Sequence, residues 1–130
     1  MTIGAALLEH GPPLALTLLD WRSALCGAAA ADVLKRVFRQ PRPPTSALAG
    51  YGMPSGHAAV AASVSARHPL LALPAAWVGM SRAYGTACGP CHYPGQVAAG
   101  VLTGLLAPRL LSWHAVLAVW VAQRVWLLSV

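Results

Sequence analysis

The sequence predicts an all-α membrane protein, a polytopic bundle of about five or six short helices. Of its 130 residues, 57% are hydrophobic and only 9% are charged. Soluble domains have about 25% charged residues, so a lipid bilayer suits this composition better than water does. Backbone that spans a bilayer must form helices or a closed barrel, and the sequence has no polar–apolar alternation that would indicate strands.

The predicted helices are six apolar segments, rich in the helix-forming residues Ala and Leu. Pro, Gly or charged residues separate them and also interrupt the first one at Gly11, Pro12 and Pro13. The segments cover residues 3–19, 23–38, 55–66, 69–84, 93–107 and 110–130, with breaks at 20–22, 40–54, 67–69, 85–92 and 108–109.

The lengths of these segments predict mostly short or incomplete spans. A full span needs about 20 residues to cross a hydrocarbon core of ~30 Å, and only residues 110–130 clearly reach that length. At a rise of about 1.5 Å per residue, segments 55–66 and 69–84 would cover only about 18–24 Å. We expect residues 1–130 to form one domain, in which the motifs described below occupy about 32–104.

The positions of the arginines predict how the segments are oriented. Arg22, Arg67 and Arg109 lie at alternate turns, which brings them to one side of the bundle. By the positive-inside rule that side is cytoplasmic. The polar loops 40–54 and 85–92 then share the opposite, extracytoplasmic or lumenal face, where we expect the active site.

The net charge of +6, from nine Lys and Arg against three acidic residues, favours an anionic ligand. Four of the basic residues fall within residues 35–42, which indicates a local anion site. Basic residues do not alternate with aromatic residues along a surface, so we do not expect nucleic acid as a partner.

Three polar clusters interrupt the apolar pattern. They are Lys35 to Arg42-Pro43, then Pro54-Ser55-Gly56-His57, and then Ser81-Arg82 followed by His92. Cations and free N–H groups at a helix N-terminus suit a phosphoryl group, and two histidines can divide nucleophilic and proton-transfer work. His and carboxylate pairs at metal-ligand spacing are absent from the sequence, so we expect neither a metal nor another cofactor.

These three clusters, in this order, resemble the three signatures of the type-2 phosphatidic acid phosphatase superfamily. The resemblance implies that His92 attacks phosphorus and forms a phosphohistidine, and that His57 protonates the leaving oxygen. It also implies that five residues hold the phosphate oxygens: Lys35, Arg42, Ser55, Gly56 and Arg82.

The third cluster departs from the family pattern in two ways. Nine residues separate Arg82 from His92, more than the family places there. Gln96 stands where the family usually has an Asp that orients the nucleophilic histidine; its amide oxygen can accept one N–H bond, but it supplies no charge.

The segments Tyr51-Gly52-Met53-Pro54-Ser55 and His92-Tyr93-Pro94-Gly95-Gln96-Val97 resemble the dolichyl diphosphatase branch of the superfamily. That branch removes one phosphate from dolichyl diphosphate on the lumenal face of the endoplasmic reticulum. The resemblance implies a multi-pass protein of that membrane, if the chain is eukaryotic. Gly56 departs from the branch, which more often has Ser there.

Other interpretations stay open. The substrate could be phosphatidate or another lipid phosphate, or the chain could be an inactive phosphate-binding or scaffold protein of the same family. Cys88-Gly89-Pro90-Cys91 has the spelling of a thiol oxidoreductase motif, but the βαβ setting that such a motif needs is missing. The bilayer and a lipid phosphate or diphosphate are the expected partners. The small residues Gly100 and Gly104 also allow homo-oligomers.

Overall fold

The computed structural model describes residues 14–44, 46, 50–84 and 92–129, with the backbone alone at 82–84 and 127–129. This part of the chain is all-α, as predicted, and contains no strand. Helix α1 covers residues 14–19. The other elements are α2 (Trp21–Phe38), α3 (Gly56–Arg67), a 3₁₀ turn (Pro69–Leu71), α4 (Ala72–Tyr84), α5 (Pro94–Leu110) and α6 (Trp113–Ser129).

Short polar side chains set the first residue of several helices. Asp20 begins α2, because its carboxylate accepts bonds from the Ser23 N–H at 3.2 Å and the Ser23 hydroxyl at 2.8 Å. The Ser55 hydroxyl accepts from the Ala58 N–H at 3.3 Å and begins α3. Ser112 does the same for α6, where its hydroxyl accepts from the Ala115 N–H at 3.1 Å.

The predicted break at residues 108–109 is wrong, and α5 continues through Pro108 to Leu110. Proline removes the N–H that would bond to the carbonyl of Gly104, which usually breaks a helix. Here the Ser63 hydroxyl of α3 lies 3.1 Å from that carbonyl and 2.7 Å from the Ala59 carbonyl, and its single proton is shared between the two. The predicted long span over 110–130 is wrong for the same reason, since α6 begins at Trp113 and has 17 residues.

Helix α3 lies at the centre of the bundle, against glycine-lined faces of its neighbours. A Cβ atom at Gly100 or Gly104 of α5 would collide with the backbone carbonyl of Ser55 or Ala59, respectively. On α2, a Cβ at Gly27 would lie 2.7 Å from the Ala59 carbonyl. The small residues Gly100 and Gly104 therefore let α5 pack closely against α3.

Contacts between helix ends define two ends of the bundle. At one end, Asp20 lies 3.2 Å from His68 and 4.0 Å from Arg67, while the Arg22 guanidinium lies 5.9 Å from the Trp113 ring. This end contains the start of α2, the end of α3 and the start of α6. The opposite end, which we call the motif end, contains the end of α2 and the starts of α3 and α5.

Several described helices present apolar side chains to the surroundings. Leu70, Leu73 and Leu18 are 97%, 84% and 74% exposed. None of the described helices is long and apolar enough to cross a membrane by itself. The consecutive helices α5 and α6, taken to Trp126 and bent by 118°, have the length and composition of a broken span or re-entrant loop.

Candidate active site

Four of the predicted site residues line one cavity of about 610 Å³ at the motif end: Lys35, Arg42, Gly56 and His57. Lys35 lies in the last turns of α2. After α2 the chain reverses at Arg39, which has the left-handed φ of 52°, and this reversal directs Arg42 back towards the bundle. A Cβ atom at Gly56 would lie 3.6 Å from the Lys35 ammonium nitrogen, so this cation lies beside the start of α3.

His92 lies beside Arg42 and is only 1% exposed. Its Nδ1 is 2.8 Å from the Gly52 carbonyl oxygen, and its Nε2 is 3.0 Å from Nη1 of Arg42. A carbonyl can only accept and a guanidinium can only donate, so Nδ1 carries the proton and Nε2 presents its lone pair. This tautomer leaves Nε2 able to act as a nucleophile.

The surroundings of His92 keep its imidazole neutral. Burial and the positive charge of Arg42 lower the pKa of His92 from 6.5 to about 4, with a further contribution from Lys35. Hydrogen bonds with the Gly52 carbonyl and the Gln96 side chain favour the protonated ring, but they are the smaller effect. At neutral pH the ring therefore has an unprotonated nitrogen directed at a cation that can hold phosphate oxygens.

Gln96 joins the segments that carry the three motifs. Its side-chain Nε2 donates to the Pro41 carbonyl at 2.8 Å, and its Oε1 accepts from the Tyr93 N–H at 3.2 Å. Its backbone carbonyl accepts from the Ser55 N–H at 3.0 Å. Gln96 is 3% exposed. It is therefore a buried clamp that holds three segments together: Pro41 before Arg42, Ser55 before His57, and Tyr93 before α5.

Gly52 has a role in the site that the sequence did not reveal. Its carbonyl orients His92, which is the task expected of the residue at position 96. A Cβ at Gly52 would lie 2.5 Å from Oε1 of Gln96, so any larger residue would displace the clamp. The only sequence signal for Gly52 was its place in the Gly52-Met53-Pro54-Ser55 motif. A backbone carbonyl that accepts a hydrogen bond cannot be recognised from the residue type.

The remaining predicted residues are less directly placed. Ser55 is fully buried, and its hydroxyl caps α3; its contact with a phosphate oxygen stays a prediction. The backbone of Arg82 lies in α4, but its side chain lies outside the described residues, as do Cys88 and Cys91. Within the described ranges, no group of three His, Cys, Asp or Glu residues could hold a metal ion.

Comparisons of the chain with protein-family models, curated proteins and solved structures find no significant match. The superfamily therefore stays a prediction from the motifs. What the structure shows is that Lys35, Arg42, Gly56 and His57 line one cavity and that Arg42 contacts His92.

A second polar group lines the same cavity. Its Asp32 lies one turn before Lys35 on α2 and 4.0 Å from the Arg36 guanidinium. It also accepts from Arg124 at 2.5 Å and from the Trp120 indole at 2.8 Å, both from α6. The signal that could have found Arg124 is a single charged residue in an otherwise apolar helix.

Proposed function

We propose that the protein is a membrane lipid phosphatase that hydrolyses a polyprenyl diphosphate of the dolichyl type through a phosphohistidine on His92, without a metal. The observation that carries this proposal is the arrangement of the buried His92, whose unprotonated Nε2 lies 3.0 Å from Arg42. Arg42 in turn lines the cavity that also contains Lys35 and His57.

The mechanism follows from these positions. A phosphoryl group that enters between Arg42 and His92 replaces the Arg42–Nε2 contact with contacts between the guanidinium and phosphate oxygens. Nε2 then attacks phosphorus as the bond to the leaving oxygen breaks, and His57 gives that oxygen its proton. Neutral His57 next takes a proton from the water that attacks the phosphohistidine, which releases phosphate and restores Nε2.

The Gly52 carbonyl assists the covalent step. When Nε2 bonds to phosphorus, the imidazole ring becomes positively charged while Nδ1 keeps its proton. The 2.8 Å bond from Nδ1 to the carbonyl strengthens as this charge develops. The carbonyl dipole thereby substitutes in part for the carboxylate that the family usually has at the position of Gln96.

The rest of the cavity supports a lipid substrate. The cavity lining also includes apolar or small side chains from α1, α2 and α3, among them Leu14, Leu25, Ala28, Ala29 and Val60. A charged end beside an apolar wall matches an amphipathic molecule whose head group is anionic. The exposed leucines of the bundle support a membrane location. A multi-pass chain of the endoplasmic reticulum, or of another membrane, is part of this proposal.

A second candidate is an inactive phosphate-binding protein with the same architecture. One observation favours it: His92 is nearly inaccessible, and Arg42 occupies the nitrogen that would attack. Such a protein would bind phosphate through Lys35 and Arg42 without turnover. Phosphatidate or another lipid phosphate as substrate would leave the mechanism unchanged.

The deciding experiment measures phosphate release from a polyprenyl diphosphate by the purified protein in detergent that contains a chelator. We expect turnover that the chelator does not affect, and acid-labile label on the protein after quenching with terminally radiolabelled substrate. His92→Ala should lose both signals, whereas His114→Ala, at the opposite end, should keep them. Phosphate binding without turnover or label would identify the inactive protein instead.

A further inference from the structure

We propose that Arg124 of α6 forms a second anion subsite in this cavity, which binds the inner, lipid-linked phosphate of a diphosphate. The inference rests on the proposed function and makes the second phosphate a determinant of specificity. Its basis is the lining of a single cavity: Lys35, Arg42 and His57 at the site described above, and Arg124 with Asp32 and Trp120 beside it.

Arg124 is fixed in place by two neighbours. Its Nη2 lies 2.5 Å from the Asp32 carboxylate, and its guanidinium lies over the Trp120 ring at 5.4 Å from the centroid. The Trp120 indole donates to the same carboxylate oxygen at 2.8 Å. A guanidinium held in this way loses little freedom when it binds an anion.

The position along α2 sets the order of the two subsites. Asp32 precedes Lys35 by three residues, so the two side chains share a helix face. Arg124, paired with Asp32, therefore lies next to the Lys35–Arg42 site. About 41% of the Arg124 side chain remains exposed, which leaves it accessible to a ligand in the cavity.

The charge in the cavity favours an anionic ligand. Its lining contains the cations Lys35, Arg42 and Arg124 and one carboxylate, Asp32. These four groups together carry a net charge of +2. Arg124 pairs with Asp32, but a guanidinium has five N–H donors, so Arg124 can also donate to an anion beside the Lys35–Arg42 site.

Arg124 acts on the leaving group of the reaction. Nε2 of His92 bonds to the terminal phosphorus, and the bridging P–O bond breaks. The electron pair of that bond stays on the lipid monophosphate, whose oxygen is neutralised by Arg124 and by the proton from His57. Water then removes the phosphoryl group from His92. A lipid monophosphate has no second phosphate for Arg124 to contact.

Arg36 provides a matched control. It also forms an ion pair with Asp32, at 4.0 Å, but it does not line the cavity. Arg36→Gln removes one partner of Asp32 without affecting the proposed subsite. If the ion pairs of Asp32 have only a structural role, Arg36→Gln and Arg124→Gln should change kcat/KM similarly. If Arg124 forms a subsite, only Arg124→Gln should change kcat/KM in a way that depends on the substrate.

The test compares farnesyl diphosphate with farnesyl monophosphate, which share one lipid chain. Arg124→Gln should lower kcat/KM for the diphosphate by about 10–100-fold, as expected for a lost charge-assisted hydrogen bond, and for the monophosphate by less than about twofold. Arg124→Lys should lose less, again on the diphosphate alone. Equal losses on both substrates, or the same substrate-dependent loss in Arg36→Gln, would overturn the subsite.

A binding measurement separates this inference from the proposed function. Thermal protection in detergent by inorganic pyrophosphate and by orthophosphate requires no turnover. The wild-type protein should bind pyrophosphate more tightly, and Arg124→Gln should lose that advantage while it still binds orthophosphate. An advantage that persists in Arg124→Gln refutes the subsite. If the wild-type protein shows no turnover, the proposed phosphatase activity is refuted. The comparison of pyrophosphate with orthophosphate binding then still tests whether Arg124 forms an anion subsite.

Discussion

Nη1 of Arg42 donates to Nε2 of His92 at 3.0 Å, although fifty residues separate the two in the chain. Burial of the ring and the charge of Arg42 keep His92 neutral. In the proposed mechanism, the contact also places a phosphate-binding group next to the nucleophile. The Arg42 guanidinium donates to the lone pair of Nε2 in the absence of a ligand. When a phosphate is present, its charged oxygens are better acceptors, so the guanidinium can bond to them and leave the Nε2 lone pair available.

Arg42→Gln should raise the pKa of His92 above its value of about 4. It removes a positive charge beside the ring, although burial of the ring, which is the larger effect, remains. Titration of the imidazole by NMR in detergent micelles measures the shift. Arg39→Gln is the control, because Arg39 is exposed and its Nε bonds to the Arg36 carbonyl; an unchanged His92 pKa in Arg42→Gln would contradict the contact.

The low pKa of His92 predicts that stability rises with pH between about 4 and 6.5. In this window the unfolded chain binds a proton on His92 that the folded chain does not, so protonation favours unfolding. The stabilisation is complete above pH 6.5 and falls by about 3 kcal/mol as the pH drops to 4. Thermal unfolding as a function of pH measures it, and His92→Gln should flatten the slope.

The titration of Asp20 does not contribute to the change in stability between pH 4 and 6.5. Burial acts to raise the pKa of Asp20, but hydrogen bonds from Ser23 outweigh it and hold that pKa below its usual 3.8. The stabilisation that Asp20 provides is therefore present above pH 3.8 and is lost only as the pH falls further. A slope that persisted between pH 4 and 6.5 in His92→Gln would show that another group titrates there.

Gln96→Glu should destabilise the protein by about 1–3 kcal/mol and lower kcat/KM. The substitution replaces the N–H donor to the Pro41 carbonyl with an oxygen in a buried place, which frees the segment before Arg42. Gln123→Glu is the matched control, because Gln123 is less buried and makes a longer bond of 3.4 Å to Val33. Equal losses of melting temperature in the two variants would argue against the clamp.

Gly104→Ala should destabilise the bundle strongly, because the new methyl group would collide with the Ala59 carbonyl of α3. The neighbouring atom is backbone and cannot rotate away, so the two helices must separate. Gly95→Ala tests the same change in the first turn of α5 with no atom within 4 Å, and it should be neutral or stabilise by up to about 1 kcal/mol. Comparable melting temperatures for both variants would refute the packing.

His57→Ala should slow turnover by about 10²–10⁴-fold, the usual contribution of a general acid. The loss should shrink for a substrate with a good leaving group such as p-nitrophenyl phosphate, because that oxygen leaves without a proton. Steady-state kinetics with the two substrates measure the ratio. An equal loss on both would assign His57 to phosphate binding instead of proton transfer.

Much of the fold followed from local sequence signals, but the corrections came from distant partners. Pro, Gly and charged residues located the helices, and alternate turns predicted that the three motifs share one end. The helix through Pro108 could not be foreseen, because the hydroxyl that contacts the Gly104 carbonyl belongs to Ser63, forty-one residues away. The role of Gly52 was hidden for another reason, since a main-chain oxygen looks the same in every residue type.

The two bonds between α3 and α5 fix how these helices align lengthwise. Ser55 bonds to Gln96 and Ser63 bonds to Gly104, with the same spacing along each parallel helix. A slide by one residue, about 1.5 Å, would break both bonds at once. This two-point register thus fixes where the start of α5, and with it His92, lies relative to the start of α3. Additional residues between Arg82 and His92 can therefore accumulate without moving His92.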